Sequence, residues 1–154
     1  MKRILSALLA CAAFSSAAIA GTVPNFPATP SRGFQSWVQG ADAPSSAKAI
    51  YTGAANGSKC VAINLVNTDS IAHNFFLSTS TTNVGVITVY AIPASTGWNG
   101  SIPSANLLTY TGLPKDSDGN SFIYLKSGDI LYGWYSTSFN TSQEIIATAV
   151  CMDF

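Results

Sequence analysis

The chain has 154 residues, with seven basic and seven acidic side chains; it is 47% hydrophobic and only 9% charged. That length suits one ordinary domain, and charge this sparse and balanced argues against nucleic acid, whose binding needs clustered Lys and Arg. Ser, Thr, Asn and Gly fill the polar positions, where typical soluble domains carry about 25% charged residues, so the surface does little to resist self-association.

In chain order, residues 1–20 read as a secretory signal. Lys2 and Arg3 supply the positive end, Ile4 to Phe14 the apolar stretch, and Ala18-Ile19-Ala20 a cleavage site before Gly21. A lipobox reading of Leu8-Leu9-Ala10-Cys11 is the alternative, and would leave the protein lipid-anchored at Cys11. Cleavage after Ala20 removes two of the seven basic residues, leaving five against seven acidic, a net charge of −2. The apolar stretch is too short to span a bilayer, and no later segment is long enough. Residues 21–33, which open GTVPNFPATPSR with three prolines and no periodicity, read as an extended arm.

From Phe34 to Phe154 the signal is β throughout. Expected strands are Phe34–Val38, Ala47–Tyr51, Cys60–Val66, Asn74–Ser78, Val84–Ala91, Phe122–Leu125, Ile130–Tyr135 and Ile145–Met152. Turn-formers separate them: Ala55-Asn56-Gly57, Asn67-Thr68-Asp69, Gly97-Trp98-Asn99-Gly100 and Asp118-Gly119-Asn120. Pro103 to Tyr110 has room for one helical turn. Short strands with frequent turns predict an all-β, single-domain antiparallel sandwich or jelly roll. Val61, Ile63 and Leu65 alternate with smaller or polar neighbours, as in a sheet with one wet face. Val84 to Tyr90 and Ile145 to Met152 are apolar on both faces. Either a subunit interface covers the second face, or small residues such as Ala147 and Ala149 tolerate solvent.

After signal cleavage two cysteines remain, Cys60 and Cys151. In an oxidising compartment such a pair is expected to form a disulfide, the alternative being two buried thiols. Neither a C-x-x-C nor a Cys/His cluster is present to suggest metal or redox chemistry. His73 is the sole histidine, without a nucleophile elbow, and is expected as a polar residue at a strand edge. Five of the seven carboxylates (Asp42, Asp69, Asp116, Asp118, Asp129) fall in turn-like contexts, and nothing singles out two of them as a glycosidase pair. Asp116-Ser117-Asp118-Gly119-Asn120 looks like the start of a calcium loop. Gly119 comes too early for one, and the twelfth residue from Asp116 is Ser127 rather than Glu. The stretch is a turn feeding Phe122–Leu125. No metal, cofactor or catalytic residue is expected.

One resemblance remains. Ala54-Ala55-Asn56-Gly57-Ser58-Lys59, then Asn67-Thr68-Asp69, Leu113-Pro114-x-Asp116-x-x-Gly119-Asn120 and Tyr124-Leu125-x-x-Gly128 resemble, in that order, small virion proteins of tailed phages and prophages. The likeness covers residues 34–154. It implies a non-enzymatic β-domain on the head or tail of the particle, assembled with copies of itself or other structural subunits. The signal and the two cysteines depart from that family, whose members assemble in the cytoplasm. They point to a form exported to the periplasm or cell exterior, which puts the particle role in doubt. Two other functions fit a secreted β-domain. A glycan-binding module would stack sugar rings on aromatics such as Trp98, the tryptophan expected to be most exposed among Trp37, Trp98 and Trp134. A pilin-like surface subunit would lack a strand and receive one from a partner.

Overall fold

The computed structural model describes residues 28–81, 85–98, 102–110, 112–140 and 142–154. The signal, with Cys11 and the cleavage site, lies outside the described residues. Nine strands follow in order: β1 (Thr29–Val38), β2 (Lys48–Thr52), β3 (Ser58–Asn67), β4 (His73–Ser78), β5 (Val86–Ile92), β6 (Ala105–Asn106), β7 (Ile123–Leu125), β8 (Ile130–Tyr135) and β9 (Glu144–Asp153). A 3-10 turn, Leu107–Tyr110, follows β6. Among the described residues every strand with a sequence signal forms within a few residues of its expected bounds, Val84 at the expected start of the fifth lying outside them, and the helical turn expected in Pro103–Tyr110 is this 3-10 turn.

The strands make two sheets. One has the order β1-β9-β3, with β6 and β7 both on the far side of β3; the other is β2-β8-β4-β5. All ladders are antiparallel. The chain alternates between layers so that its first and last strands are neighbours in one sheet. This is a jelly roll in which the short β6 and β7 together fill one strand position. β9 has a strand on each side, β1 and β3. Among the described residues no groove lies open beside it for a donated strand.

The core forms where the inner faces meet. Ile63 and Leu65 of β3 and Ile145, Ala147 and Ala149 of β9 oppose Phe75 and Leu77 of β4 and Leu131 of β8, all buried. Trp37 of β1 packs edge-on against Phe75, with ring centroids 5.2 Å apart. Gly133 is required beside it, because a Cβ there would lie 2.4 Å from the Phe75 ring. The Trp37 indole donates to Ser46 O at 3.0 Å, and Lys48 Nζ donates to Ser36 O at 2.8 Å, tying β1 to the start of β2.

Three expectations change. The arm ends earlier than residue 33: Thr29 to Gly33 already pair with β9, with Pro30 opposite Met152. β1 is an edge strand, where a missing N–H on the outer side breaks no ladder. In β3 the register shifts between Cys60 and Ala62, so Cys60 rather than Val61 joins Ile63 and Leu65 on the inner face. Finally, His73 begins β4, at a strand edge as expected, but it is buried (1% exposed).

Candidate interaction surface

The residues with catalytic potential are held by structural partners. His73 Nε2 lies 2.9 Å from Asp69 Oδ2, and Nδ1 lies 2.8 Å from Thr137 Oγ1. The order Asp–His–Thr has the connectivity of a hydrolytic relay. Its surroundings are those of a clasp. Phe139 and Tyr135 pack edge-on against the imidazole, at 4.8 and 6.1 Å between centroids. The Asn140 amide N–H, the nearby backbone donor, is bound to Asp69 Oδ2 at 2.9 Å, and Asn140 Nδ2 donates to Oδ1 at 2.7 Å. That donor is therefore not open to a developing oxyanion. Burial alone would raise the Asp69 pKa, but hydrogen bonds from Asn140, His73 and Ser70 outweigh it and bring it down to about 2. Sequence reasoning saw Asp69 only as a turn residue.

The Asp116 turn is closed by its own carboxylate. Asp116 Oδ1 accepts from Asp118 N at 3.1 Å and Asn120 N at 2.9 Å, and Gly119 takes φ 81° at the corner. Oδ2 meets Lys59 Nζ at 3.0 Å, and that ammonium also sits 4.8 Å from the centre of the Phe122 ring. The Lys59 hydrogen bond, with that from Asn120, holds the Asp116 carboxyl below the usual range. Among the described residues no group of three His, Cys, Asp or Glu side chains is placed to hold a metal ion.

Cys60 and Cys151 stand directly opposite each other on β3 and β9 and form a disulfide. Both are fully buried. Of the tryptophans, Trp37 and Trp134 are buried, whereas Trp98 is 63% exposed. Trp134 stacks on Phe76 with the ring planes 6° apart.

What remains is the outer face of the first sheet. Alternation along β1, β9 and β3 sends Phe34, Ile146, Val150, Met152, Ala62 and Val66 away from the core. They fall in cross-strand rows: Ser36, Ile146 and Val66; Phe34, Thr148 and Asn64; Arg32, Val150 and Ala62. Phe34 is 64% exposed at the centre of β1. In these three rows Arg32 is the single charged residue. This is the second apolar face that the sequence of Ile145–Met152 indicated.

No protein-family model matches the chain, and no curated protein matches it significantly. Among solved structures, the chain is similar to one titled as the capsid asymmetric unit of cyanophage Pam1. Identity is 12% and the TM-score 0.48, over 82% of this chain and 86% of that one. It is also similar to the virus-like particle of the extra small virus of the giant freshwater prawn Macrobrachium rosenbergii. There identity is 10% and the TM-score 0.32, over 86% of this chain and 87% of that one.

Proposed function

We propose that this protein is a non-enzymatic structural subunit that assembles with copies of itself through the outer face of its first sheet. The observation carrying this reading is that five of the nine residues in the three middle rows of that face are apolar (Phe34, Ile146, Val66, Val150 and Ala62) and three more are uncharged, with Phe34 left in solvent at their centre. Monomeric proteins seldom keep a contiguous apolar face uncovered. Three strands about 4.8 Å apart and ten residues long at about 3.3 Å each give about 450 Å² per copy. Two such faces together approach the roughly 1,000 Å² expected of a specific contact. A second copy is the occupant because the three middle rows carry one charge, Arg32, while Lys59 and Glu144 stand only at opposite ends of the face. Two like faces meet without the repulsion that a charged patch would impose. The turn motifs that resemble virion proteins favour assembly into a particle, and a jelly roll is one of the folds that capsids use. The disulfide, with the signal-like residues 1–20, favours export to an oxidising compartment.

The test is native mass over a wide concentration range, with the intact mass of the protein recovered from cells. A multimer that Phe34→Lys converts to monomer, without loss of the folded β spectrum, is the expected result. A wild-type protein that stays monomeric at its highest attainable concentration overturns the reading. Processing after Ala20 with one disulfide supports export; a full-length chain with three free thiols returns the protein to the cytoplasm.

A further inference from the structure

We propose that the cleft beside Trp98 is a saccharide site that accepts a single neutral or N-acetylated hexopyranose. The cleft, of about 330 Å³, is lined by Val38, Thr68, Trp98, Ser142, Gln143 and Glu144. Small-molecule sites run from about 300 to 1,000 Å³, so this one, at the small end, suits one sugar ring rather than a chain. Its platform is an indole that the fold holds in solvent, while the other two tryptophans are buried.

The platform is pinned from behind. Gly97 N donates to Ile102 O at 2.7 Å, Asn67 N to Thr96 O at 2.9 Å, and Thr96 Oγ1 to Pro93 O at 2.7 Å. The facing wall is equally fixed: Thr68 N donates to Glu144 O at 3.0 Å, and Glu144 N donates to Thr68 Oγ1 at 2.8 Å. A binding surface fixed in advance loses little freedom when a ligand arrives.

The polar groups suit a sugar. Among the described residues, the Trp98 indole N–H, the Ser142 hydroxyl, the Gln143 amide and the Glu144 carboxylate have no hydrogen-bond partner. The carboxylate accepts from hydroxyls, and the amide both donates and accepts. A pyranose presents an apolar C–H face to an aromatic ring and hydroxyls at its edge, so one molecule satisfies both parts of the cleft. The negative charge of Glu144 disfavours uronates and sialic acids. Val38 and Glu144 pair at the end of the β1–β9 ladder, at the margin of the face around Phe34, so native mass measured beside sugar binding separates the two roles.

The experiment is a titration of the wild-type protein, Trp98→Ala and Glu144→Gln with free sugars, read by tryptophan fluorescence and calorimetry. The panel is glucose, galactose, mannose, N-acetylglucosamine, N-acetylgalactosamine, glucuronate and sialic acid. Saturable binding of a neutral or N-acetylated sugar is expected, weakened about tenfold or more by Trp98→Ala, as loss of an aromatic platform predicts. Glu144→Gln weakens it too, and native mass is unchanged in both variants. Absence of saturable binding across the panel, binding that survives Trp98→Ala, or preference for the anionic sugars overturns the proposal. So does loss of the multimer on Trp98→Ala, which would place Trp98 within the subunit contact.

Discussion

Asp69 gathers three separate segments onto one carboxylate. Its side chain takes hydrogen bonds from His73, which begins β4, and from Asn140, which lies 71 residues further along the chain. Fully buried, it is held charged by donors on both oxygens. Asp69→Asn replaces one acceptor oxygen by a donor that faces other donors, and should cost about 3 kcal/mol, as for leaving buried donors to a carboxylate unsatisfied. The pH dependence has a definite sign. The folded pKa of about 2 lies below the ordinary value of 3.8, so the stabilisation is fully present above 3.8 and is lost as pH falls through about 2. A depression of that size corresponds to about 2 kcal/mol. Urea midpoints of the two proteins between neutrality and the acid limb check this: their gap should narrow as pH falls towards 2. A gap that is constant with pH would mean that the Asp69 charge adds nothing.

Among the elements, the β3–β9 ladder joins the middle of the first sheet and carries the disulfide. Cys60 and Cys151 are 91 residues apart in sequence. In the chain-entropy model, closing such a loop in the unfolded chain is worth about 4–5 kcal/mol. Reduction, or replacement of both cysteines by Ala, should therefore lower the urea midpoint by that equivalent with the β spectrum retained. An unchanged midpoint would show that the bond contributes nothing to stability. The elements themselves were legible where β-forming residues ran for five or more positions between turn-formers, alternating in β3 and almost continuously apolar in β8 and β9. Legibility failed where the decisive fact was a tertiary pairing. Pro30 looked like arm because its neighbours lack alternation, yet β9 supplies a partner to the edge strand. The shift at Val61 moved Cys60 inward, and a one-residue change of register cannot be seen in apolar spacing alone. β6 spans two residues, too few for any period. Asp69 and His73 lie four apart, but their burial depends on Phe139 and Asn140 far along the chain. Trp98 was legible as exposed because Gly97 and Asn99 on either side mark a loop.

For the whole molecule the question is which force would hold copies together. With 9% charged residues, a net charge near zero and apolar rows on one sheet, long-range electrostatics can contribute little to assembly. Contacts made by charged patches weaken as salt shortens the Debye length, from about 14 Å at 0.05 M to about 4 Å at 0.5 M. Contacts made by apolar faces do not, and they strengthen when sulfate is excluded from the surface. Sedimentation of the wild-type protein across that sodium chloride range should therefore show a nearly constant association constant, and sodium sulfate should raise it. Phe34→Lys should weaken association in every salt, because it buries an ammonium among the apolar and uncharged side chains at the centre of the face. Steep dissociation with sodium chloride would assign the contact to charged groups such as Arg32, Asp42 or Glu144 rather than to the rows around Phe34. The jelly roll would stand unchanged in that case, since its core is buried between the sheets and takes nothing from the outer face.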